Sequence, residues 1–109
     1  MIQITRYQHH AQPIITWLAI NQAEIVGHIN AQFEAGNRIK FLDAWVHPDW
    51  RGNGIYRKLW ECRWSWIEAN YEDHLVYAWC KPTSLPLLLE KGFELKEECH
   101  LVEFKIKKK

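Results

Sequence analysis

The residues with the clearest potential for chemistry are 51–54, Arg-Gly-Asn-Gly, in a chain of 109 residues. They lie between an apolar β-type pattern at 39–46 and a helical pattern that begins at Gly54. Glycine and asparagine tolerate backbone angles that other residues resist, so such a loop can direct several N–H groups at one point. The following helix adds its unpaired N–H groups and its dipole there. The pattern predicts an anion site, and phosphate is the expected anion.

Two common phosphate-binding motifs do not fit this loop. A nucleotide P-loop needs Lys and then Ser or Thr after its last glycine, whereas Ile55 and Tyr56 follow Gly54. A dinucleotide-binding loop needs a third glycine and, about 20 positions later, an acidic residue. The third glycine is missing, and the preceding strand sits mid-chain with no βαβ unit before it. The first motif is excluded and the second is not favoured.

A third motif fits better. The run at 46–55, Val-His-Pro-Asp-Trp-Arg-Gly-Asn-Gly-Ile, resembles the central motif of the GNAT superfamily, the acetyl-CoA-dependent N-acetyltransferases. That motif is Arg/Gln-x-x-Gly-x-Gly/Ala after a strand that ends in Val-x-Pro, and Val46, Pro48, Arg51 and Gly54 match it. Tyr56 stands where the motif has its second Gly or Ala. The resemblance extends over roughly residues 14–106 and includes a Lys-Gly-Phe run at 91–93.

This resemblance implies how acetyl-CoA would be held. Backbone N–H groups of the loop and first helical turn would face the pyrophosphate, and Arg51 would add charge or brace the loop. Where the strand at 39–46 splays from its neighbour, unpaired backbone groups would meet pantetheine and the thioester oxygen. The cofactor-binding residues expected from the resemblance are Ala44, Trp45, Val46, Arg51, Gly52, Asn53, Gly54, Ile55, Tyr56 and Arg57.

The catalytic groups are less defined. A lysine-like amine has a pKa near 10.4, so a base or a water wire is expected. Asp43 is the carboxylate nearest the splay; the alternative is an exposed partner for Lys40 or Arg38. His28 on the preceding strand is a second candidate base, and a satisfied sheet histidine is the alternative. The family often has a general-acid tyrosine four residues before its Gly-Phe pair, and this chain has Leu88 there.

The elements that position these residues follow a simple order. β-strands are predicted at 2–8, 14–20, 24–33, 39–46, 75–80, 93–95 and 98–106. One long helix is predicted at 54–71, and a short helix is capped by Thr83 or Ser84 and ended by Gly92. The strand at 75–80 is expected to return parallel to that at 39–46. The fold class is therefore α/β (α+β), a mixed and mostly antiparallel sheet with two helices, in a single GNAT-like domain over 1–109.

Periodicity predicts which side chains are buried. In the third strand, one face is expected to carry Ile25, Gly27, Ile29, Ala31 and Phe33. On the long helix, the solvated face is expected to carry Arg57, Lys58, Glu61, Arg63 and Glu68. The family usually has one or two helices between its first two strands, where this chain has only residues 9–13. The acceptor side is therefore expected to be open or to be completed by a partner.

Composition excludes several classes of protein. The net charge is +1, so nothing draws the whole chain to nucleic acid or to a membrane, and the seven tryptophans are expected mainly in the core. There is no leader and no apolar run near 18 residues, so neither secretion nor a membrane span is predicted. Cys62, Cys80 and Cys99 lack the spacing of a disulfide framework or a zinc site, which favours a reducing cytoplasm. Cys80 is expected to be a small core residue rather than a nucleophile.

The main functional prediction is an N-acetyltransferase that uses acetyl-CoA to acetylate a primary amine of an unidentified small molecule or protein. The missing tyrosine and the short N-terminal part favour an alternative, an acyl-CoA-binding module with little catalysis that acts as a sensor or partner subunit. A third hypothesis, a nucleic-acid-binding domain that uses tryptophans and the lysine-rich end, is not favoured by the charge. No metal site is predicted. An edge strand of this sheet offers a surface for a homodimer.

Overall fold

A computed structural model describes residues 1–81, 84–97 and 101–108, the side chains of Asp43 and Glu97 excepted. The elements follow the chain as β1 (Gln3–Gln8), β2 (Ile14–Asn21), β3 (Glu24–Glu34), β4 (Arg38–Val46), a 3₁₀ turn (Pro48–Trp50), α1 (Ile55–Asn70), β5 (Leu75–Trp79), α2 (Leu85–Glu90), β6 (Glu94–Glu97) and β7 (Leu101–Lys105). The strands form one sheet in the order β1-β2-β3-β4-β5-β7-β6. All neighbouring strands are antiparallel except β4 and β5, which are parallel.

This topology confirms the predicted mixed and mostly antiparallel sheet with one long and one short helix. The strand after α1 returns parallel to β4, as predicted, and α1 provides the crossover that parallel neighbours need. Strands β1 and β2 pair directly through residues 9–13, without a helix between them. The further strand at the end is β6, which pairs with β7. Thr83 and Cys99 lie outside the described residues, and the side chain of Ser84 makes no capping hydrogen bond to α2.

The core lies between one face of the sheet and α1, which packs across β2, β3 and β4. Aromatic rings fill the end of the core nearest α2, where Trp64 meets Phe104 at 4.9 Å and Phe93 at 5.3 Å between ring centroids. Three of the seven tryptophans, Trp17, Trp60 and Trp64, are buried, as expected of large apolar side chains. Trp45 and Trp79 are exposed, so the indoles do not form one continuous surface for stacking bases.

A bulge corrects the predicted faces of β3. Ile25 was expected to share the core face with Ile29, but its side chain is 48% exposed, and Val26 is buried instead. The reason lies in the pairing with β2, where Ala19 faces Gly27 and the next residue of β2 faces Ile25. Val26 is the extra residue of β3, and one extra residue reverses the side-chain alternation beyond it.

Within the described ranges, no helix is both long and apolar enough to cross a bilayer.

Candidate functional site

The loop between β4 and α1 is held by its own side chains. Arg51 donates from Nε to the carbonyl oxygen of Val46 at 3.0 Å, so it braces the loop. Asn53 donates from Nδ2 to the carbonyl oxygens of Trp50 and Arg51 at 3.0 and 3.3 Å. Before the turn, Nδ1 of His47 accepts the Asp49 N–H at 3.1 Å. These bonds engage the polar side chains of Arg51 and Asn53 within the loop itself.

The glycines of the loop are required by backbone angle rather than by space. Gly52 has φ +83° and Gly54 has φ +78°, and a Cβ at either position would meet no atom within 4 Å. Side chains other than glycine rarely adopt such angles. Gly54 immediately precedes α1, and no side chain caps this end of the helix. The first turn has no acidic residue, so the positive end of the helix dipole faces the loop unopposed.

The start of α1 is pressed against the sheet at Gly27. A Cβ there would lie 3.0 Å from the carbonyl oxygen of Trp45, 3.2 Å from Leu59 and 3.3 Å from Ile55. A Cβ at this position would crowd all three atoms, so the glycine lets the first turns of α1 pack closely against β3 and the end of β4.

Strand β4 leaves β5 soon after the two begin to pair. Pairing is limited to Arg38–Lys40 with Leu75–Tyr77, and beyond Lys40 the two strands diverge. On the other side of β4, Leu42 faces Asn30 while Ala44 faces Ile29, so β4 has one extra residue at Asp43. A bulge bends the strand that contains it. The predicted splay thus exists, and it begins next to a bulge that the sequence did not indicate.

The direction of the backbone along this open stretch follows from two hydrogen bonds. The N–H of His47 donates to Val26 of β3 at 2.8 Å, whereas the carbonyl of Val46 accepts from Arg51 on the other side. Amide groups alternate in direction along a strand. The N–H groups of Val46 and Ala44 therefore point into the gap beside β5, while that of Trp45 points towards β3.

Two adjoining clefts connect the loop with this gap. A cleft of about 350 Å³ runs along the loop and is lined by residues 44–46 together with Arg51, Gly52 and Gly54. A second, of about 540 Å³, lies between β4, β5 and the two helices, and its walls include Leu42, Trp60, Arg63, Cys80 and Leu88. Ala44 and Tyr56 line both. Most of the expected cofactor residues thus lie along one track formed by the two clefts.

Arg63 corrects the sequence prediction most clearly. It was expected on the solvated face of α1, but it is only 3% exposed and lines the larger cleft. Its position follows Leu59 by four residues and Trp60 by three, which places it on the apolar stripe of the helix. That spacing indicated a buried position, but the residue was predicted to be exposed because arginine is charged. Burial lowers the pKa of Arg63 to about 9, so the guanidinium is still charged at neutral pH.

The candidate bases differ in what the structure says of them. Asp43 lies at the bulge of β4, but its side chain is outside the described part, so its role as a base stays a prediction. His28 is half-buried on the sheet face opposite α1, where its ring stacks on Trp45 at 5.8 Å. Its Nδ1 lies 3.4 Å from Nδ2 of Asn30, and accepting that N–H would place the ring proton on Nε2. These contacts hold one ring nitrogen and one ring face of His28 against the sheet, in agreement with the alternative of a sheet histidine.

The usual place of the general acid is apolar. Leu88 is buried in α2 and lines the larger cleft, so no hydroxyl is available at that position. Burial raises the pKa of the Cys80 thiol, which therefore stays protonated at neutral pH and is a poor nucleophile. Among the described residues that line the cleft, Tyr56 is the one with a phenol.

Ion pairs fasten α2 to α1 beside the larger cleft. Arg57 reaches Glu90 at 2.8 Å, and Lys91 reaches Glu61 at 2.7 Å. All four side chains are partly exposed, so each pair contributes modestly, about 0.2–1 kcal/mol. Because the Arg57 side chain is engaged with Glu90, any cofactor contact from this residue is left to its backbone N–H.

Within the described ranges, no three His, Cys, Asp or Glu residues cluster closely enough to hold a metal ion. His9, one of the adjacent histidines near the start, instead lies 2.9 Å from the hydroxyl of Thr16.

Comparison with solved structures shows the same fold repeatedly. A GNAT-family acetyltransferase from Staphylococcus aureus Mu50 is 19% identical, with a TM-score of 0.67 over 88% of this chain and 70% of its own. An IAA acetyltransferase from Bacillus cereus is 16% identical, with a TM-score of 0.67 over 89% and 79%. The ribosomal-protein-S18-alanine N-acetyltransferase of Escherichia coli is 11% identical, with a TM-score of 0.72 over 92% and 74%. At these identities the likeness establishes the fold alone.

Sequence comparison adds the family. A search of curated protein sequences found no match. The model of the acetyltransferase (GNAT) family matches residues 2–93, which is most of the chain. The mixed sheet, the glycine loop before α1 and the gap beside β4 agree with that match. The chain therefore belongs to the GNAT acetyltransferase family, whose members transfer acyl groups and generally use acetyl-CoA.

Proposed function

We propose that the protein is an N-acetyltransferase that binds acetyl-CoA and transfers its acetyl group to a primary amine. We also propose that residues 1–109 form one domain. The observation that carries the proposed function is the continuous track from the uncapped start of α1 to the gap beside β4. One end suits a phosphate and the other end presents N–H groups, as a long thioester cofactor requires.

In this proposal, the pyrophosphate binds the backbone N–H groups of residues 52–57. The helix dipole and the absence of an acidic residue in the first turn support anion binding at this point. A bound anion would also offset the repulsion between the dipole and the two basic residues of that turn, Arg57 and Lys58. The site thus needs no nucleotide-type lysine to neutralise phosphate.

The acetyl group would lie in the gap beside β4. The N–H groups of Ala44 and Val46 point into this gap, so one can bond pantetheine while the other polarises the thioester oxygen. The amine nitrogen attacks the carbonyl carbon, the C–S bond breaks, and the sulfur leaves as the CoA thiolate. The amine loses one proton to a base, for which Asp43 is proposed, and the thiolate takes one from water or from Tyr56.

The acceptor is proposed to enter from the open face of the sheet. No helix lies between β1 and β2 to cover this face, and Trp45 and His28 are stacked on it beside the splay. The Escherichia coli structural neighbour bears the name of an enzyme that acts on an alanine of ribosomal protein S18. For this chain we propose only an amine acceptor, without a class. A second copy pairing at an edge strand could complete the open side.

A second candidate function rests on a specific observation. Leu88 removes the usual acid, and a leaving thiolate without a proton donor slows turnover. A CoA-binding module with little catalysis, acting as a sensor or partner subunit, is therefore the alternative. It shares the cofactor site and differs only in rate.

Two measurements test these proposals in sequence. Calorimetric titration with acetyl-CoA tests the site, and release of free CoA thiol in the presence of a panel of amines tests transfer. Binding with amine-dependent thiol release supports the enzyme. Binding without release supports the module, and absence of binding at millimolar acetyl-CoA excludes both.

A further inference from the structure

We propose that Arg63 is a positioning residue that holds the bulge of β4, and with it the N–H groups that face the acyl gap. The inference rests on the proposed acetyl transfer for its kinetic consequence. The geometry that supports it is independent of any ligand.

Arg63 carries a buried positive charge. Arg63 is the buried charged residue of the described core, and no described carboxylate lies within ion-pair distance of it. Buried arginines are uncommon unless they are paired, because the charge loses its hydration. Here the guanidinium carbon lies 3.7 Å from the ring centroid of Phe41 and 5.5 Å from that of Trp60. Cation–π contacts offset part of the lost hydration.

The hydrogen bonds of Arg63 go to backbone carbonyl groups of β3 and β4. Nη1 of Arg63 donates to the carbonyl oxygen of Asn30 at 2.9 Å and to that of Leu42 at 3.5 Å. These two residues face each other across β3 and β4 immediately before the register shift. A single side chain therefore ties together the two strands where their ladder is interrupted.

Asn30 is also held by side-chain contacts on the opposite face of the sheet. The side chain of Asn30 accepts the Thr16 hydroxyl at 2.6 Å on Oδ1 and lies 3.4 Å from His28 on Nδ2. The backbone of Asn30 is thus held by Arg63 on the helix side, while its amide is held on the open side. Asn30 therefore cannot shift relative to β4 without breaking hydrogen bonds on both faces of the sheet.

The consequence concerns Ala44, which follows the bulge. If the bulge at Asp43 were lost and β4 paired with β3 without an extra residue, the pairing register beyond it would shift by one residue. The backbone N–H groups of β4 in that part would then point to the opposite side. The N–H of Ala44 would then point to β3 instead of into the gap. Arg63 opposes this change from inside the cleft.

The unused donor argues against a purely structural explanation. Nε of Arg63 is fully buried and has no acceptor among the described residues. An apolar side chain of similar length would avoid this loss, and such replacements of buried charges are often neutral or stabilising. A role in holding the bulge in one arrangement accounts for a buried charge that packing alone does not require.

The test compares Arg63→Met and Arg63→Lys with a matched destabilised control, Ile67→Ala. Ile67 is fully buried on the same helix, four residues further along, and does not line the clefts. For Arg63→Met we expect kcat to fall about 10- to 100-fold with KM for acetyl-CoA little changed, as for lost or misplaced transition-state donors. Arg63→Lys keeps charge and donors, so we expect an intermediate kcat. Ile67→Ala should lower the melting temperature without changing kcat per folded molecule.

Amide hydrogen exchange provides a readout that does not need turnover. We expect faster exchange in the segment 41–46 of Arg63→Met than in Ile67→Ala, even when the two have similar melting temperatures. If Arg63→Met does not fold, Arg63→Lys and Phe41→Leu carry the same comparison. The proposal is overturned if the folded Arg63 variants keep the wild-type kcat and the wild-type exchange at 41–46. If the wild type itself transfers no acetyl group, the proposed function fails, and exchange alone decides the role of Arg63.

Discussion

The sharpest test of the proposed cofactor loop is a pair of glycine substitutions, Gly54→Ala and Gly36→Ala. The two glycines have nearly the same backbone angle, φ +78° and +77°, and neither has an atom within 4 Å of a new Cβ. They differ in position, because Gly36 lies in the turn between β3 and β4. Strand β4 has nine residues, so its two ends are roughly 30 Å apart. Proline would be a poorer choice at Gly54, because its φ is near −65°.

The expected magnitudes follow from this match. A left-handed backbone costs an alanine about 1–2 kcal/mol, and the stiffer unfolded chain returns about 0.4–1 kcal/mol. Both variants should therefore lose about 1 kcal/mol of stability, or about 4 °C in melting temperature. Only Gly54→Ala should also weaken acetyl-CoA binding. The strained φ of an alanine at position 54 favours a shift of the loop backbone. A shift that misdirects one N–H bonded to a charged phosphate costs about 1.5–3 kcal/mol of binding, which raises Kd about 10- to 150-fold.

The assay is calorimetric titration with acetyl-CoA alongside thermal unfolding of the wild type and both variants. The reasoning predicts equal melting temperatures for the variants and a weaker Kd for Gly54→Ala alone. If Gly54→Ala binds like the wild type, the loop does not hold the cofactor and the site lies elsewhere. If Gly36→Ala weakens binding equally, the effect reports general loosening of the fold rather than the loop.

Three further predictions concern residues in or next to the two clefts. Gly27→Ala should cost about 1–3 kcal/mol by overpacking the start of α1, and should also weaken acetyl-CoA binding, as unfolding and titration would show; unchanged stability would contradict the close packing. Leu88→Tyr should raise kcat several-fold by supplying a proton to the thiolate, whereas Leu88→Phe, with similar bulk and no hydroxyl, should not; equal rates would show that this proton is not limiting. The raised pKa of Cys80 predicts slow alkylation by iodoacetamide at neutral pH that quickens as the pH rises and the thiolate forms. Bound CoA should protect Cys80 but not Cys62, which lines a separate groove, and peptide mass spectrometry distinguishes the two.

Local patterns determined much of this protein. The period of two in the strands, the glycine angles at the start of α1 and the long apolar stripe of that helix are properties of short segments, so the sequence predicts them directly. The order of elements then leaves few topologies, and the parallel return of β5 follows from the helix before it. The splay beside β4 was expected from the family resemblance, and the pairing of the strands agrees with it.

Tertiary structure alone decided the remaining features. The bulges at Val26 and Asp43 depend on how two strands pair, and each reverses the alternation that a single strand suggests. Arg63 stands on the apolar stripe of α1, but its burial depends on Phe41 and on two carbonyl groups of other strands being there to receive a charge. No segment of the sequence contains those partners together. The glycine loop before α1 could therefore be predicted from the chain, whereas the form of the gap beside β4 depends on contacts between distant strands.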